Sequence, residues 1–416
     1  MKRLCFLVVF LSFITSIFSQ KYTSGANLPY INPTPGEITI MASSPIPTGL
    51  EPTRQMFQDV EDCGFNLTTL NGSVAYIKNI FSLVADLKLK YLISNPQFIN
   101  QNTRHSYISS LKGNKHLGGW LLKDEPSYDT WDNLSKQYKA FCKEDPNHIV
   151  YVNLVGIIHK TFTGPAKTIP EYIESFQKLF TPSLFSYDYY PIITKNGKTT
   201  IQYDQFYSDL EDFSSISKKC QRPFWSFCEC MAYTTKTYSR PAATEAYLKF
   251  QAFNALAYGA QGIVYWAYSL RKPMGGENYT SALVDLKGKK SKAWYAAQKV
   301  NNEIKRFNQV FYQCDVKEVK HTGDKLYKGT KKLTGSIGSF KIVRSGSAGV
   351  VISYIENKGE KYTVFINRDV YNSQNVRLQL KTDSKVQNLN NNNQYSPDSE
   401  IVLTLDKADW AIFKEI

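Results

Sequence analysis

The sequence predicts a (β/α)8 barrel followed by a small antiparallel β-domain, and two patterns carry this prediction. Between residues 38 and 313, eight short apolar runs alternate with stretches of helical periodicity. Beyond Cys314 the helical periodicity stops, and apolar runs follow one another with only turns between them. Strand–helix alternation favours parallel strands with right-handed crossovers, and eight repeats of about 32 residues fit a closed barrel.

Each predicted barrel strand is short, rich in β-branched and aromatic residues, and free of internal proline. Such near-continuous apolar runs are typical of strands that are buried on both faces. The predicted strands are Ile38–Ser43, Asn66–Asn71, Lys90–Ser94, Gly118–Lys123, Ile149–Leu154, Leu184–Asp188, Phe224–Glu229 and Gly262–Tyr268.

Helical patterns fill the intervals between these strands. The first of them is followed by Gly64, the residue type that commonly ends a helix. The predicted helices are Arg54–Cys63, Ala75–Leu87, Tyr128–Lys143, Pro170–Leu179, Asp204–Lys219, Thr244–Tyr258 and Lys292–Tyr312.

The C-terminal residues predict a β-sandwich of about 100 residues. Its predicted strands are Ser339–Val343, Gly349–Ile355, Lys361–Asn367, Val376–Lys381, Ile401–Leu405 and Trp410–Glu415. The whole chain then divides into a signal peptide (1–19), an irregular lead-in (20–37), the barrel (38–313) and the β-sandwich domain (314–416).

The N-terminus has the three parts of a secretory signal peptide. Met1-Lys2-Arg3 is basic, Leu4–Ile14 is almost wholly apolar, and a Ser/Thr-containing stretch runs to about Ser19. The apolar run is shorter than the roughly 20 residues of a spanning helix, and no later segment is long and apolar enough to span a membrane. We therefore expect a secreted, periplasmic or cell-surface protein.

The chain has a formal net charge of +14, with Lys and Arg scattered in small groups. No basic helix or nucleic-acid-binding motif is present, so nucleic acid is not an expected partner; an ordinary basic surface and an anionic polysaccharide partner both stay open. The six cysteines after the signal lack metal-ligand spacing and read as isolated thiols or one disulfide. No GxGxxG, P-loop or HExxH motif occurs. We expect no metal and no cofactor.

Active sites of such barrels gather at the carboxyl ends of the strands. Polar or aromatic residues close seven of the eight predicted strands, whereas none of the five histidines does. The closing residues are Asn71, Asn95, Gln97, Asp124, Glu125, Asn153, Asp188, Glu229, Trp266 and Tyr268.

The fourth strand gives the strongest local signal, because an apolar run stops at Asp124-Glu125-Pro126. One interpretation is catalytic. The other is a helix start, in which both acids favour the positive end of the helix dipole.

The seventh strand gives the second signal, because Glu229 stands alone in an aromatic, sulfur-rich run. Burying an unpaired carboxylate is costly, so such a residue usually has a partner or a chemical role. A structural salt bridge and a catalytic role are both open.

Hydrolysis of a glycosidic bond needs one carboxyl to protonate the leaving oxygen and a second to attack the anomeric carbon or activate water. Strands four and seven lie almost opposite each other in a barrel, so Glu125 would be the acid and base and Glu229 the nucleophile. The predicted substrate-binding residues are Asp124, Asn153, Asp188, Tyr189 and Trp266; Trp266 offers a flat face for a sugar ring, or packs in the core.

These residues resemble glycoside hydrolase clan A, which carries its acid/base Glu after strand four and its nucleophile at strand seven. Asp124-Glu125-Pro126, Ser186–Pro191 and Ala257–Gly262 are similar to barrel proteins of polysaccharide-degrading gut bacteria near families 42 and 158. The resemblance covers most of the mature chain and implies a retaining β-glycosidase with a carbohydrate substrate, a β-galactoside for family 42 or a β-1,3-glucan for family 158.

The sequence departs from the clan at Asp124, where an Asn usually binds the sugar 2-hydroxyl. This departure keeps an alternative open, a non-catalytic barrel that binds glycan or acts as a scaffold. An inverting hydrolase or a transglycosylase is a third reading, which differs in the separation of the two carboxyls and in water access.

Overall fold

The computed structural model of the protein describes residues 30–416 and contains a closed barrel of eight parallel strands. Each strand pairs with the next, and the eighth pairs with the first, with Gly262 beside Thr39. The predicted fold class, a (β/α)8 barrel with an additional β-domain, is confirmed. The barrel strands are Thr39–Ala42, Leu67–Asn71, Lys90–Ser94, Leu117–Asp124, Ile149–Val155, Phe185–Asp188, Phe224–Glu229 and Gly262–Trp266.

A helix follows each barrel strand and covers its outer face. Within residues 30–416 the helices are Arg54–Asp62, Val74–Leu83, Gln101–Leu111, Trp131–Glu144, Lys160–Thr163, Ile169–Phe180, Tyr203–Cys220, Glu245–Ala257, Lys292–Arg306 and Asn308–Phe311, with 3-10 turns at Pro96–Ile99 and Tyr128–Thr130. Helix Gln101–Leu111 was not among the predicted helices. Its inner face includes the buried Arg104, which pairs with Glu144 at 2.8 Å, so the apolar periodicity is interrupted.

The predicted long helix Lys292–Tyr312 is instead two helices separated at Phe307. The side chain of Asn308 accepts a hydrogen bond from the Ile38 amide at 2.8 Å and donates one to the Gly36 carbonyl at 2.9 Å. The break therefore serves to tie the segment before the first strand to the end of the barrel.

Side chains from several strands fill the inside of the barrel, among them Met41, Leu92, Tyr151 and Trp225. The chain needs a glycine at position 262, because a Cβ there would lie 2.5 Å from the Trp225 ring. The interior of the barrel is thus a packed core.

Five short strands form an additional antiparallel sheet: Ile192–Lys195, Lys198–Ile201, Ala232–Thr234, Ser239–Arg240 and Asn278–Ser281. They belong to the connections that follow barrel strands six, seven and eight, so the sheet lies over the carboxyl-end rim on that side. We call it the rim sheet. It was not predicted, because strands of two to four half-exposed residues carry no clear alternation.

Two antiparallel sheets form the C-terminal domain and enclose a second core that includes Phe340, Phe365 and Phe413. The six-stranded sheet consists of Asp315–His321, Val350–Asn357, Glu360–Asn367, Trp410–Glu415, Val386–Asn388 and Gln394–Tyr395, in that order. The three-stranded sheet consists of Phe340–Arg344, Gln374–Leu380 and Glu400–Leu405.

An aromatic stack joins this domain to the barrel. The Trp410 ring lies parallel to Phe253, with centroids 3.6 Å apart, and to Phe311, with centroids 5.0 Å apart. Beside the stack, Lys249 Nζ contacts Asp409 at 3.0 Å. The last strand of the chain is therefore packed against the helix that follows barrel strand seven.

The predicted signal peptide (1–19) and the first part of the predicted lead-in lie outside the described residues. No helix of the described residues combines the length and the hydrophobicity that a membrane span requires. All six cysteines of residues 30–416 are free thiols, and four of them are buried.

We expect Trp410→Ala to lower the free energy of unfolding by about 3–5 kcal/mol, because it leaves a cavity between two fixed aromatic rings. Equilibrium unfolding in urea measures the change. Val402→Ala is the control, because Val402 is 62% exposed in the same domain and should change stability by less than about 0.5 kcal/mol. Equal effects of the two substitutions would contradict the proposed role of the stack.

Candidate active site

The fourth strand is irregular where it approaches the rim. A register shift between Leu121 and Lys123 sets Asp124 beside Asn153 of the fifth strand. Glu125 follows with a φ of 42°, in the left-handed region, and its amide donates to the Asn153 carbonyl at 3.0 Å. Irregularities of this kind re-aim side chains and cluster at functional sites. The helix begins only at Trp131, so Asp124 and Glu125 lie outside its first turn.

Asn153 is the centre of a hydrogen-bond network that orients two carboxyl groups. Its Oδ1 accepts from Ser186 Oγ at 2.9 Å, which leaves Nδ2 to donate to Asp124 and Asp188, both at 3.0 Å. Asn153 is 1% exposed, and Tyr151 fixes Ser186 from the barrel interior at 2.7 Å. Because the oxygen of the amide is already used, its donor end must face the two acids.

Glu125 and Asp188 are hydrogen-bonded to each other and share a proton. Burial raises the pKa of Asp188 well above its usual range, and the negative charges of Glu125 and Asp124 raise it further. Burial also raises the pKa of Glu125, while the hydrogen bond from Asp188 opposes that shift. Asp188 is thus the better proton holder of the pair, and it donates its proton to the Glu125 carboxylate.

Asp124 keeps a solvent-accessible face at the rim although protein atoms surround it. Desolvation by these atoms raises the pKa of Asp124. The hydrogen bond from Asn153 and the charges of Lys123 and Arg271 oppose this shift. Its Oδ1 accepts the hydrogen bond from Asn153, and Asp124 is exposed.

Glu229 lies across the rim at the end of the seventh strand and is 7% exposed. Its Oε1 has no hydrogen-bond partner among the described residues. Burial raises its pKa to about 8, against the opposing effect of the Arg240 charge. The Glu229 amide donates to Gln251 at 2.9 Å, which fixes the backbone but not the carboxyl group.

Arg240 of the rim sheet is the cation nearest to this carboxyl, with Nε 3.6 Å from Glu229 Oε1. Its Nη1 donates to the carbonyls of Tyr190 and Ile192, and its guanidinium lies over the Tyr238 ring at 5.4 Å. The distance exceeds that of a hydrogen bond, so the pair is an ion pair through space. The structural salt bridge considered for Glu229 is therefore present, in a loose form without a hydrogen bond between the two side chains.

Tyr190 and Trp266 form an aromatic wall between the acids. Their rings are stacked with centroids 5.7 Å apart, and Tyr233 and Tyr279 contact the Trp266 ring edge-on. Burial raises the pKa of Tyr190 well above its usual range. The negative charges of four carboxyl groups raise it further, those of Asp188, Glu229, Asp124 and Glu125. The Tyr190 phenol therefore lies within electrostatic reach of both sides of the site.

Glu277, in the connection after the eighth strand, also reaches both sides. Its charge raises the pKa of Glu125 and of Glu229, and its carboxylate accepts a hydrogen bond from Tyr279. Glu277 thus raises the pKa of both the fourth-strand acid and the seventh-strand acid, and both acids raise the pKa of Tyr190.

The predicted site residues lie in two groups, and one of them lies apart from both. Asp124, Glu125, Asn153 and Asp188 form one hydrogen-bonded cluster, and Glu229 and Trp266 lie on the other side. Tyr189 is different. It packs against the core between barrel and helices, where Asp209 influences its pKa, whereas Tyr190 lies among the carboxyl groups.

Sequence reasoning missed Arg240, Tyr190 and the specific role of Glu277. Tyr190 differs from Tyr189 only by its place on the alternating faces of an extended chain, so its two-residue offset from Asp188, which sets both on one face, was the available signal. Arg240 lies 11 residues beyond Glu229 in a segment without periodicity, and nothing in the sequence distinguishes it.

Comparison with protein families matches residues 127–307 to the glycoside hydrolase family 42 model, described as β-galactosidase. The match covers less than half of the chain; it includes Glu229 and Trp266 and begins two residues after Glu125. No curated protein sequence matches the chain significantly.

Several solved structures share the fold at low sequence identity. A catalytic mutant of the family 42 β-galactosidase Gan42B from G. stearothermophilus has a TM-score of 0.60 at 8% identity, covering 93% of this chain and 99% of that chain. The β-galactosidase from Bacillus circulans sp. alkalophilus also has a TM-score of 0.60 at 8% identity, with coverages of 92% and 99%. A family 5 glycoside hydrolase from Bacteroides vulgatus has a TM-score of 0.54 at 10% identity, with coverages of 91% and 89%.

The chain therefore shares the (β/α)8-barrel fold of these glycoside hydrolases, and residues 127–307 resemble family 42 in sequence. Its predicted resemblance to family 42 within clan A is confirmed. The resemblance to family 158 stays a prediction.

The raised pKa of Glu229 makes the stability of the fold depend on pH. Between pH 4.5, the usual pKa of a glutamate, and about pH 8, the folded chain keeps a proton that the unfolded chain has lost. The free energy of unfolding therefore falls as the pH rises through this window. Glu229→Gln removes the titration, so its stability relative to wild type should grow by about 1.4 kcal/mol per pH unit.

Urea unfolding at pH 5, 6, 7 and 8 measures this difference. Glu51→Gln is the control, because it makes the same substitution at an exposed glutamate. A constant difference for Glu229→Gln would show that Glu229 ionises normally in the folded chain.

Proposed function

We propose that the chain is a secreted retaining β-glycosidase that acts on β-galactosides, with Glu125 as acid and base and Glu229 as nucleophile. One observation carries the proposal. Glu125 directly follows strand four and Glu229 ends strand seven of one closed barrel, and Tyr190 and Glu277 lie within electrostatic reach of both. The β-galactosidase description of the matched family supports the choice of sugar.

The Glu125–Asp188 pair suits the first step of a double displacement. A general acid must hold a proton near neutral pH, and burial among like charges raises the pKa of both groups. The proton that Asp188 holds passes through the hydrogen bond to Glu125 and from Glu125 to the leaving oxygen, which leaves both carboxyl groups ionised. In the second step Glu125 takes a proton from water, as microscopic reversibility requires.

Glu229 must be ionised to attack the anomeric carbon. Oε1 of its carboxyl is buried and has no hydrogen-bond partner among the described residues, and Arg240 supplies the charge that opposes the effect of burial on its pKa. Bonding to the sugar neutralises the carboxylate, so the step removes a buried charge. This favours attack from an apolar, poorly solvated position.

The remaining side chains suit sugar binding. Trp266 and Tyr190 offer a flat apolar wall to a pyranose ring, as sugar-binding clefts require. Asp124, in the place of the usual amide, has one oxygen held by Asn153 and one open to a sugar hydroxyl. A carboxylate accepts a hydrogen bond there but donates one only when protonated, so this position selects a donating hydroxyl.

One observation favours the non-catalytic alternative, a barrel that binds glycan without cleaving it. With a pKa of about 8, Glu229 is mostly neutral at pH 7, which is unfavourable for a nucleophile. The two readings differ in turnover, and the next experiments separate them.

We expect hydrolysis of 4-nitrophenyl β-D-galactopyranoside, with the β-glucopyranoside, a β-1,4-galactan and a β-1,3-glucan as comparison substrates. Glu125→Ala should lower kcat by about 10²–10⁴-fold, the usual contribution of an acid–base group. Glu229→Ala should lose turnover, and added azide should restore it with α-galactosyl azide as the product, because azide then attacks the face that Glu229 occupied.

Glu51→Ala is the control, because Glu51 is exposed and its removal should leave kcat unchanged. Absence of cleavage on every substrate would favour the glycan-binding alternative. Full activity of Glu229→Ala would refute the assignment of the nucleophile.

We expect the acidic limb of the kcat/KM profile to lie near pH 8, because activity requires ionised Glu229. Arg240→Met removes the charge that lowers this pKa, so the limb should move to higher pH, while Arg240→Lys should retain most of the wild-type profile. The measurement is kcat/KM from pH 5 to pH 10. An unchanged profile for Arg240→Met would show that Arg240 serves only the structure of the rim sheet.

A further inference from the structure

A polar cavity of about 370 Å³ opens on the same rim, beside the ends of the first three barrel strands. Ligand pockets commonly have volumes of roughly 300–1,000 Å³. The cavity has hydroxyl, amide and guanidinium groups but no acidic side chain in its wall. Its lining residues are Ser44, Pro45, Ile46, Thr48, Thr69, Leu70, Asn71, Ser94, Ser269, Leu270 and Arg271.

The absence of acids in this wall contrasts with the rest of the rim. Five carboxyl groups lie elsewhere on the rim, those of Asp124, Glu125, Asp188, Glu229 and Glu277. The rim thus has an acidic part and this cavity, whose one charged lining group is Arg271 from the connection after strand eight.

Arg271 is the cation of this cavity. It is half-buried, and among the described residues no ion pair or side-chain hydrogen bond occupies its guanidinium. Its charge reaches the acidic part, where it lowers the pKa of Asp124 and of Tyr279. Arg271 therefore lies between the cavity and the acidic part of the rim with its donors available.

Neutral donors line the same cavity as the guanidinium. The Thr69 hydroxyl oxygen accepts the Ser44 amide at 3.2 Å, which leaves its O–H to donate. Asn71 and Ser94 close the second and third strands, with Asn71 exposed and Ser94 half-exposed to the cavity. An arginine fork with hydroxyl and amide donors matches an oxyanion that has two or three acceptor oxygens.

We propose that this cavity is a second glycan subsite, which binds an anionic substituent on the sugar next to the one that is cleaved. The inference rests on the proposed glycosidase function, because the position of the subsite is defined relative to Glu125. The substituent is a carboxylate of a uronic acid or a sulfate ester, since both present the oxygens that Arg271 and the surrounding donors fit.

Binding to Glu229→Gln, which prevents turnover, tests the subsite by isothermal titration calorimetry. The probes are β-1,4-galactobiose, the same disaccharide carrying a 6-sulfate, and the disaccharide in which one unit is galacturonic acid. We expect at least one anionic probe to bind about tenfold or more tightly than the neutral one, as for hydrogen bonds to charged groups. The tighter anionic probe distinguishes carboxylate from sulfate.

Arg271→Met in the same background should abolish this preference and leave binding of the neutral disaccharide unchanged. Lys272→Met is the matched control, because it removes the neighbouring cation, which is exposed and does not line the cavity. Equal binding of all probes, or equal losses in the two variants, would overturn the inference.

The outcomes also separate the two proposals. An enzyme that hydrolyses neutral β-galactosides and shows no preference dependent on Arg271 refutes the subsite alone. A chain that shows the preference but cleaves no substrate refutes the glycosidase proposal, and the cavity is then an anionic-glycan site of a binding protein.

Discussion

The structure of the site depends on one constraint, the convergence of several carboxyl groups on one rim of a closed barrel. Parallel strands point all their carboxyl ends the same way, so residues distant in sequence meet there. The resulting repulsion between buried acids is relieved in three ways. Asn153 donates to two of them, Asp188 and Glu125 share a proton, and Arg240 faces Glu229 across 3.6 Å.

The barrel and the rim sheet contribute different groups to the site. The barrel strands supply the acids, whose backbones are fixed by the parallel hydrogen-bond ladder. The rim sheet and the connection after the eighth strand supply the groups that adjust those acids, namely Arg240, Tyr233, Tyr279 and Glu277. Connections tolerate more sequence change than barrel strands do, so the protonation of the acids is tuned by the more variable part of the fold.

The sequence was sufficient for the barrel because its signals are local. Each strand is a short apolar run with its polar residue at the end, and the observed Lys90–Ser94 and Phe224–Glu229 have the predicted bounds. The rim sheet could not be predicted, since its strands pair residues from three different connections and lack alternation. Tyr190 was missed for another reason. Which of two adjacent tyrosines faces the acids depends on strand orientation at the rim, and a one-residue offset reverses it.

The helix Glu245–Ala257 contacts both the accessory domain and the candidate nucleophile Glu229, and this shared contact constrains how such proteins evolve. Its Lys249 and Phe253 contact Asp409 and Trp410, while its Gln251 holds the Glu229 amide. Two faces of the same short helix thus serve the last strand of the chain and the candidate nucleophile. An accessory domain exchanged by recombination would keep this support only if it brought an acid and an aromatic ring in the same register. Barrel and accessory domain are therefore expected to be inherited together, as one unit of selection.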